Sequence, residues 1–260
     1  MKRMNIGKTD MNVSVVALGT LSIGGESVWG PSDDGESLAT IDTAYDLGIN
    51  YFDTAPVYGF GRSERLLGKA IKKRRKDVIV SSKCGLVWDR EGSLLYSRDG
   101  YDVKRNLTAE NIKREIDISL GRLDTDYIDI YFTHWQAVPE FPVPISETMG
   151  ALNDIRKTGK IRAIGASNVT LDQIKEYLKY GRIEIVQNRF SMLDQKSFRE
   201  VNDFCLENDI TFQAYSPFER GLLTGAVGKE FTVKPGDARS NIQWYQDDLR
   251  GKVLEMLNGF

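Results

Sequence analysis

The sequence predicts an α/β fold: a (β/α)8 TIM barrel entered through an N-terminal hairpin, with its last strand–helix unit missing. Short apolar runs alternate with segments of helical period from Asp33 onward, the pattern of a parallel sheet flanked by helices. Several of those runs end in a polar residue, on the face where such barrels carry out their chemistry. No linker or composition shift divides the 260 residues, so one domain spanning 1–260 is expected.

Residues 4–14 read as a hairpin turning at Gly7–Asp10, placed to plug one end of the barrel. Val13–Gly19 reads as the first buried strand, followed by a Gly-rich loop through Gly30 that should border the site. Helix Glu36–Leu47, strand Asn50–Asp53, helix Glu64–Lys73 and strand Val78–Lys83 follow. Leu86–Leu107 reads as a polar loop. Helix Ala109–Leu123 then puts Ile112, Ile116 and Leu120 on one face, before strand Tyr127–His134. A Pro-rich loop through Pro144 leads to helix Ser146–Lys157, strand Lys160–Ser167 and a helix announced by the capping box Thr170-x-x-Gln173. Strand Ile183–Asn188, helix Lys196–Asn208, strand Ile210–Tyr215 and helix Asp247–Leu257 complete seven strand–helix units, where a closed barrel needs eight.

The stretch Asn50–Gly68, NYFDTAPVYGFGRSERLLG, organises the rest. Asp53 ends its strand, and Tyr58 follows in a loop whose Gly59 and Gly61 allow tight turns. Lys83 ends the next strand and His134, the only histidine in the chain, ends the one after. Singly, each has an ordinary reading: a turn-capping Asp, a packed Tyr, a surface Lys, a core His. Together at successive strand ends they read as a site.

A formal net charge of −2 and a basic run, Lys72–Lys76, confined to one helix end argue against nucleic-acid binding. That run reads as solvated surface, and Arg62 and Arg239 read as exposed charges. No apolar run nears the ~20 residues that cross a bilayer. The first residues lack a signal-peptide core. Cys84 and Cys205 make neither a disulfide framework nor, with one His, a zinc spacing, so no metal is expected and a reduced, cytoplasmic setting is the default. The segment Gly59–Glu64 is no dinucleotide fingerprint, because Glu64 stands where the third glycine belongs.

DTAPVYGFGRSERLLG, SSKCG, LGRLDTDYIDIYFTHW, GKIRAIGASN, VQNRFSMLDQ and AYSPFERGLLTG together resemble the aldo-keto reductases, in that family's order from about Met4 to the end. The resemblance implies an NADP(H)-dependent oxidoreductase that reduces small aldehydes or ketones, with Asp53, Tyr58, Lys83 and His134 as catalytic tetrad. Elementary chemistry agrees. Hydride addition leaves an alkoxide that needs a proton donor. Tyr58 would donate, Lys83 would stabilise its phenolate, Asp53 would hold Lys83 charged, and His134 would polarise the carbonyl.

The resemblance further implies that Ser167, Asn168 and Gln187 hold the nicotinamide carboxamide and that Tyr215 stacks on its ring. Ser216, Phe218, Gly221 and Leu222 would cradle the pyrophosphate, and Gly19 and Thr20 would border the coenzyme. By residue type alone, Ser167 and Asn168 also read as a helix cap, Gln187 as a buried amide and Tyr215 as core. Trp29, Trp88 and Trp135 fall in loops over the strand ends, as pocket walls or plain packing.

Full-length members of the family continue for several tens of residues, supplying the eighth strand and a segment for the adenosine 2′-phosphate. The expectation is therefore a truncated product, a fragment, or a gap covered by another chain, with the choice of NADP over NAD open. The family also includes potassium-channel β-subunits, so a nucleotide-binding regulatory role stands beside the enzyme reading. The substrate is not legible in the loops.

Overall fold

A computed structural model describes residues 1–25, 29–233, 237 and 239–259. Strands β1 (Arg3–Asn5) and β2 (Asn12–Ser14) form the antiparallel hairpin. Then come β3 (Leu18–Gly19), α1 (Asp34–Asp46), β4 (Tyr51–Asp53), α2 (Arg62–Ile71) and β5 (Ile79–Cys84). Three short strands follow, β6 (Leu86–Val87), β7 (Ser93–Arg98) and β8 (Tyr101–Arg105), then α3 (Ala109–Leu123) and β9 (Ile128–Thr133). The remainder is α4 (Ile145–Lys157), β10 (Ile161–Ser167), α5 (Leu171–Tyr180), β11 (Ile185–Arg189), α6 (Lys196–Glu207), β12 (Thr211–Tyr215) and α7 (Asp247–Leu257).

Among the described residues one sheet has seven parallel strands in the order β12-β11-β10-β9-β5-β4-β3. It curls. Tyr51 Oη of β4 donates to Gln213 Oε1 of β12 at 2.7 Å, a contact that strands this far apart in the order make only across the inside of a half-closed barrel. Neighbouring strands lie ~4.8 Å apart, so a flat sheet would separate those two by tens of ångströms.

The sheet is buried on both faces, which is why its strands read as nearly unbroken apolar runs. Ile130 and Phe132 point inward with Tyr51, Ala163 and Ile185, and the hairpin's Ile6, Met11 and Val13 fill the end of that inner core. Tyr131, between them, faces out into the layer where Leu67, Ile112, Ile116, Leu152, Ile174 and Val201 of the helices pack. Gly7 N donates to Thr211 Oγ1 at 2.8 Å, tying the hairpin to the start of β12 as the plug expected from sequence. Helix starts follow local chemistry: Asp33 caps α1, Thr108 caps α3, and the Thr170–Gln173 box caps α5 with both reciprocal bonds present. No helix among the described residues is long and apolar enough to cross a membrane.

Three expectations are corrected. Val13–Gly19 is not one buried strand. It divides between β2 and the two-residue edge strand β3, with Val15 and Val16 exposed, because the first part pairs back on the hairpin and only Leu18–Gly19 reaches β4. Leu86–Leu107 is not a loop but a three-stranded antiparallel sheet, order β6-β8-β7, whose alternation is broken by a register shift at Leu94–Tyr96. The basic run Lys72–Lys76 is only partly solvated. Arg75 turns inward to bond Asp129 Oδ2 at 2.7 Å and the Tyr127 carbonyl at 2.8 Å.

One buried acid has a measurable signature. Burial raises the Glu115 carboxyl from its usual 4.5 to about 8; the Gly85 amide opposes this, the Glu64 carboxylate adds to it, and Arg114 and Asn111 oppose it. The native state thus holds a proton that the unfolded chain releases near 4.5, so this stability is full below pH 4.5 and lost as pH rises towards 8. Glu115→Gln cannot ionise, and its unfolding free energy should be flatter than wild type across pH 4.5–8. Equal slopes in urea titrations at pH 5, 6.5 and 8 would refute the raised value.

Candidate active site

The site sits where β4, β5 and β9 end. Asp53 is the last residue of β4 and pairs with Ser81 of β5, while Lys83 pairs with Phe132 two residues before His134. Register therefore staggers Asp53, Lys83 and His134 by two residues from each strand to the next, and the Lys83 side chain spans the step back to Asp53. Lys83 Nζ donates to Asp53 Oδ2 at 2.7 Å and to the Thr54 carbonyl at 2.9 Å, and lies 3.3 Å from Tyr58 Oη. Asp53 Oδ1 accepts from Ser81 Oγ at 2.6 Å and from Gln187 Nε2 at 3.1 Å. The Lys83 side chain is 1% exposed, so its charge persists only because these partners surround it.

Burial alone would pull the Lys83 ammonium down, but the Asp53 carboxylate and the Tyr58 oxygen outweigh it and the group ends above its usual 10.5. It is a cation throughout the neutral range. His134 goes the other way: burial, then the Lys83 charge, push it well below 6.5 and keep the imidazole neutral. Its ring meets the Tyr58 ring edge-on, with centroids 5.9 Å apart. His134 lies one residue beyond the end of β9, its N–H bonded to the Cys84 carbonyl at 2.9 Å and its carbonyl accepting from Asn168 Nδ2 at 2.8 Å.

Tyr58 is held by a backbone contact between two loops. A Cβ on Gly59 would lie 2.2 Å from the Gly24 carbonyl oxygen, and one on Gly24 would lie 2.7 Å from the Gly59 nitrogen. Gly59 also has φ +61°, where only glycine is unstrained. Gly59→Ala must part the loops and carry Tyr58 with them. We expect kcat to drop by roughly 10²-fold with a modest loss of Tm, measurable by steady-state kinetics beside thermal melts. An unchanged kcat would show that the contact does not position the phenol. Arg62, expected as an exposed charge, braces the same loop by donating to the Ile23 carbonyl at 2.9 Å and the Ser32 carbonyl at 2.7 Å. Arg239 likewise is not a loose surface charge, for both its Nε and Nη2 engage Asp237. The Gly-rich loop thus borders the site, although its residues 26–28 lie outside those described.

The remaining sequence-picked residues form a row beside this cluster. Ser167 Oγ, at the end of β10, donates to the Gln187 carbonyl at 2.8 Å. Asn168, at φ +56°, reaches Ser167 Oγ through Nδ2 at 3.1 Å and accepts from Tyr215 Oη through Oδ1 at 2.8 Å. Ser167, Asn168, Gln187 and Tyr215 are therefore linked to one another, and Gln187 directly to Asp53. Beyond Tyr215 the chain turns at Ser216, at φ +55°, and exposes Phe218. Gly221, at φ +101°, has open space where a side chain would stand. Leu222 buries its side chain among Val227, Ile242, Tyr245 and Val253, so only its backbone is available to a ligand. Gly19 also faces open space, whereas Thr20 is fully buried and spends its hydroxyl on the Asp53 carbonyl and Ser63.

Sequence reasoning missed Thr54, Ser81 and Gln136, whose Nε2 donates to the Ser167 carbonyl at 3.0 Å. Ser81 carried a signal, since it lies two residues from Lys83 on the same strand face. Thr54 acts through its carbonyl, which no side-chain pattern reports. The antiparallel sheet supplies a wall beside the strand ends: Trp88 packs edge-on against Phe60, Phe60 against Tyr101, and Arg105 lies over Trp135.

A sequence profile described as the aldo/keto reductase family matches residues 15–255. The chain belongs to this family. Among similar aldo/keto reductases, it is 47% identical to an Escherichia coli protein named NADH-specific methylglyoxal reductase, over 99% of this chain and 79% of that one. It is 35% identical to the aldo-keto reductase YhdN of Bacillus subtilis, over 99% and 74%. Of solved structures, a glycerol dehydrogenase from Gluconobacter oxydans superposes with a TM-score of 0.89 at 32% identity, covering 99% of this chain and 76% of that one. The curled parallel sheet is thus the barrel fold of aldo/keto reductases, as the sequence predicted, with seven of its strands among the described residues.

Proposed function

We propose that this aldo/keto reductase converts small aldehydes and ketones to alcohols using a reduced nicotinamide dinucleotide, with Tyr58 as proton donor. One observation carries the reading: the buried Lys83 ammonium lies between Asp53 at 2.7 Å and the Tyr58 hydroxyl at 3.3 Å. The family and the relatives' names support carbonyl reduction, and the small dicarbonyl named for one of them, methylglyoxal, is the substrate to try first.

The residues fit a dinucleotide. Tyr215 offers an aromatic face at a strand end, Asn168, Ser167 and Gln187 offer amide and hydroxyl groups beside it, and the open spaces at Gly19 and Gly221 leave room for a ligand near the backbone. When bound, the coenzyme supplies the hydride to the carbonyl carbon. Tyr58 protonates the nascent alkoxide, and the Lys83 ammonium stabilises the phenolate left behind. Asp53 keeps Lys83 charged and aimed. Neutral His134 donates a hydrogen bond to the carbonyl oxygen without competing as an acid.

The family motifs imply NADPH, and a relative is named for NADH, so the proposal is framed at the nicotinamide chemistry the two share. The test follows coenzyme absorbance at 340 nm with NADPH and then NADH, against methylglyoxal and a nitrobenzaldehyde. Consumption of either coenzyme that depends on carbonyl supports the reading. Tight coenzyme binding with no consumption would replace it with a regulatory, nucleotide-binding role.

A further inference from the structure

Glu115 lies on α3, outside the site, yet it grips the turn by which β5 leaves the site. Its Oε2 accepts from the Gly85 N–H at 2.8 Å and from Asn111 Nδ2 at 2.7 Å. Gly85 comes two residues after Lys83. It takes φ +89°, and a Cβ there would lie 2.4 Å from Leu107 Cδ2, so the turn has room only for glycine. Its neighbours are pinned as well. The Cys84 carbonyl accepts from His134 N at 2.9 Å, and the Gly85 carbonyl accepts from Asn106 N at 3.0 Å. Asn111 Nδ2 also donates to the Asn106 carbonyl at 2.9 Å. The antiparallel sheet that walls the site enters at Gly85 and leaves at Asn106. One pair of α3 side chains, Asn111 and Glu115, therefore clasps both ends of that sheet together with the end of the Lys83 strand.

We propose that Glu115 is a positioning residue for the reduction: by holding Gly85 it sets the height of Lys83 against Asp53 and Tyr58. The inference rests on the reductase reading for its kinetic consequence, but not for its structural one. Without Glu115 the Gly85 amide is a buried donor with no acceptor, which the turn relieves by moving. A shift of about 1 Å at Lys83 is enough to cost up to ~10²-fold in rate. Glutamine keeps an acceptor oxygen at the same reach and should restore the turn.

The test compares Glu115→Ala with Glu115→Gln. Alanine should lower kcat by about 10- to 100-fold with the coenzyme dissociation constant unchanged, and its crystal structure should show Lys83 Nζ withdrawn from Tyr58 Oη. Glutamine should return kcat to near wild type and Lys83 to its place. A folded alanine variant with wild-type kcat and an unmoved Lys83 overturns the proposal, as does a glutamine variant as slow as alanine. If wild type itself turns over no carbonyl, the reductase reading fails, and the position of Lys83 in the two variant structures still decides this one. Should alanine not fold, glutamine with a displaced Lys83 overturns the proposal and glutamine with Lys83 in place supports it.

Discussion

Tyr58→Phe should lower kcat by about 10²–10⁴-fold, the range lost when a positioned proton donor is removed, while coenzyme binding survives. The phenol ring packs against the cluster of Ala55, Val57, Leu86 and Val103 and meets the His134 ring edge-on, and phenylalanine keeps that surface. What is lost is the hydroxyl 3.3 Å from Lys83 Nζ and, in the proposed mechanism, the proton for the alkoxide. Fluorescence titration with NADH and NADPH should match wild type, and the thermal midpoint should move little. A Tyr58→Phe variant with wild-type kcat would assign the proton to another group and sink the mechanism.

Lys83→Met should abolish turnover and also weaken the fold. Asp53 is 7% exposed and would keep only the neutral donors Ser81 and Gln187. Removing one partner of a buried pair typically costs about 3–5 kcal/mol, because the other charge stays buried and uncompensated. The informative variant is the double one, Asp53→Asn with Lys83→Met. It removes both charges, so urea unfolding should return part of the lost stability, while activity stays absent because nothing stabilises the phenolate. If the double variant is no more stable than Lys83→Met alone, the cost lies in packing and not in the stranded carboxylate.

The strand ends were legible because a parallel sheet buried on both faces needs continuous apolar runs. A polar residue closing such a run, as Asp53 and Lys83 do, stands out by contrast. The helices announced themselves through caps at Thr108 and Thr170 and through the 3.6-residue period of Ile112, Ile116 and Leu120. The β6–β8 sheet escaped because its strands are short and largely half-exposed, and the register shift at Leu94–Tyr96 breaks the alternation of its apolar residues. The edge strand β3 escaped for the opposite reason, an apolar run of which only two residues pair in the main sheet.

Chain order thus determined which residue types stand at which strand ends, and the family motifs through Tyr58, Lys83 and His134 are complete in the sequence itself. Distance and environment were decided by tertiary structure alone. The curl of the sheet brings Gln187 to Asp53 across 134 residues of sequence. The Gly24–Gly59 contact fixes Tyr58, and the side chain of Glu115 reaches from a neighbouring helix to the turn after Lys83. Burial keeps His134 neutral, and its partners keep Lys83 charged. These terms depend on through-space separation and on desolvation, and neither is a property of residues adjacent along a chain.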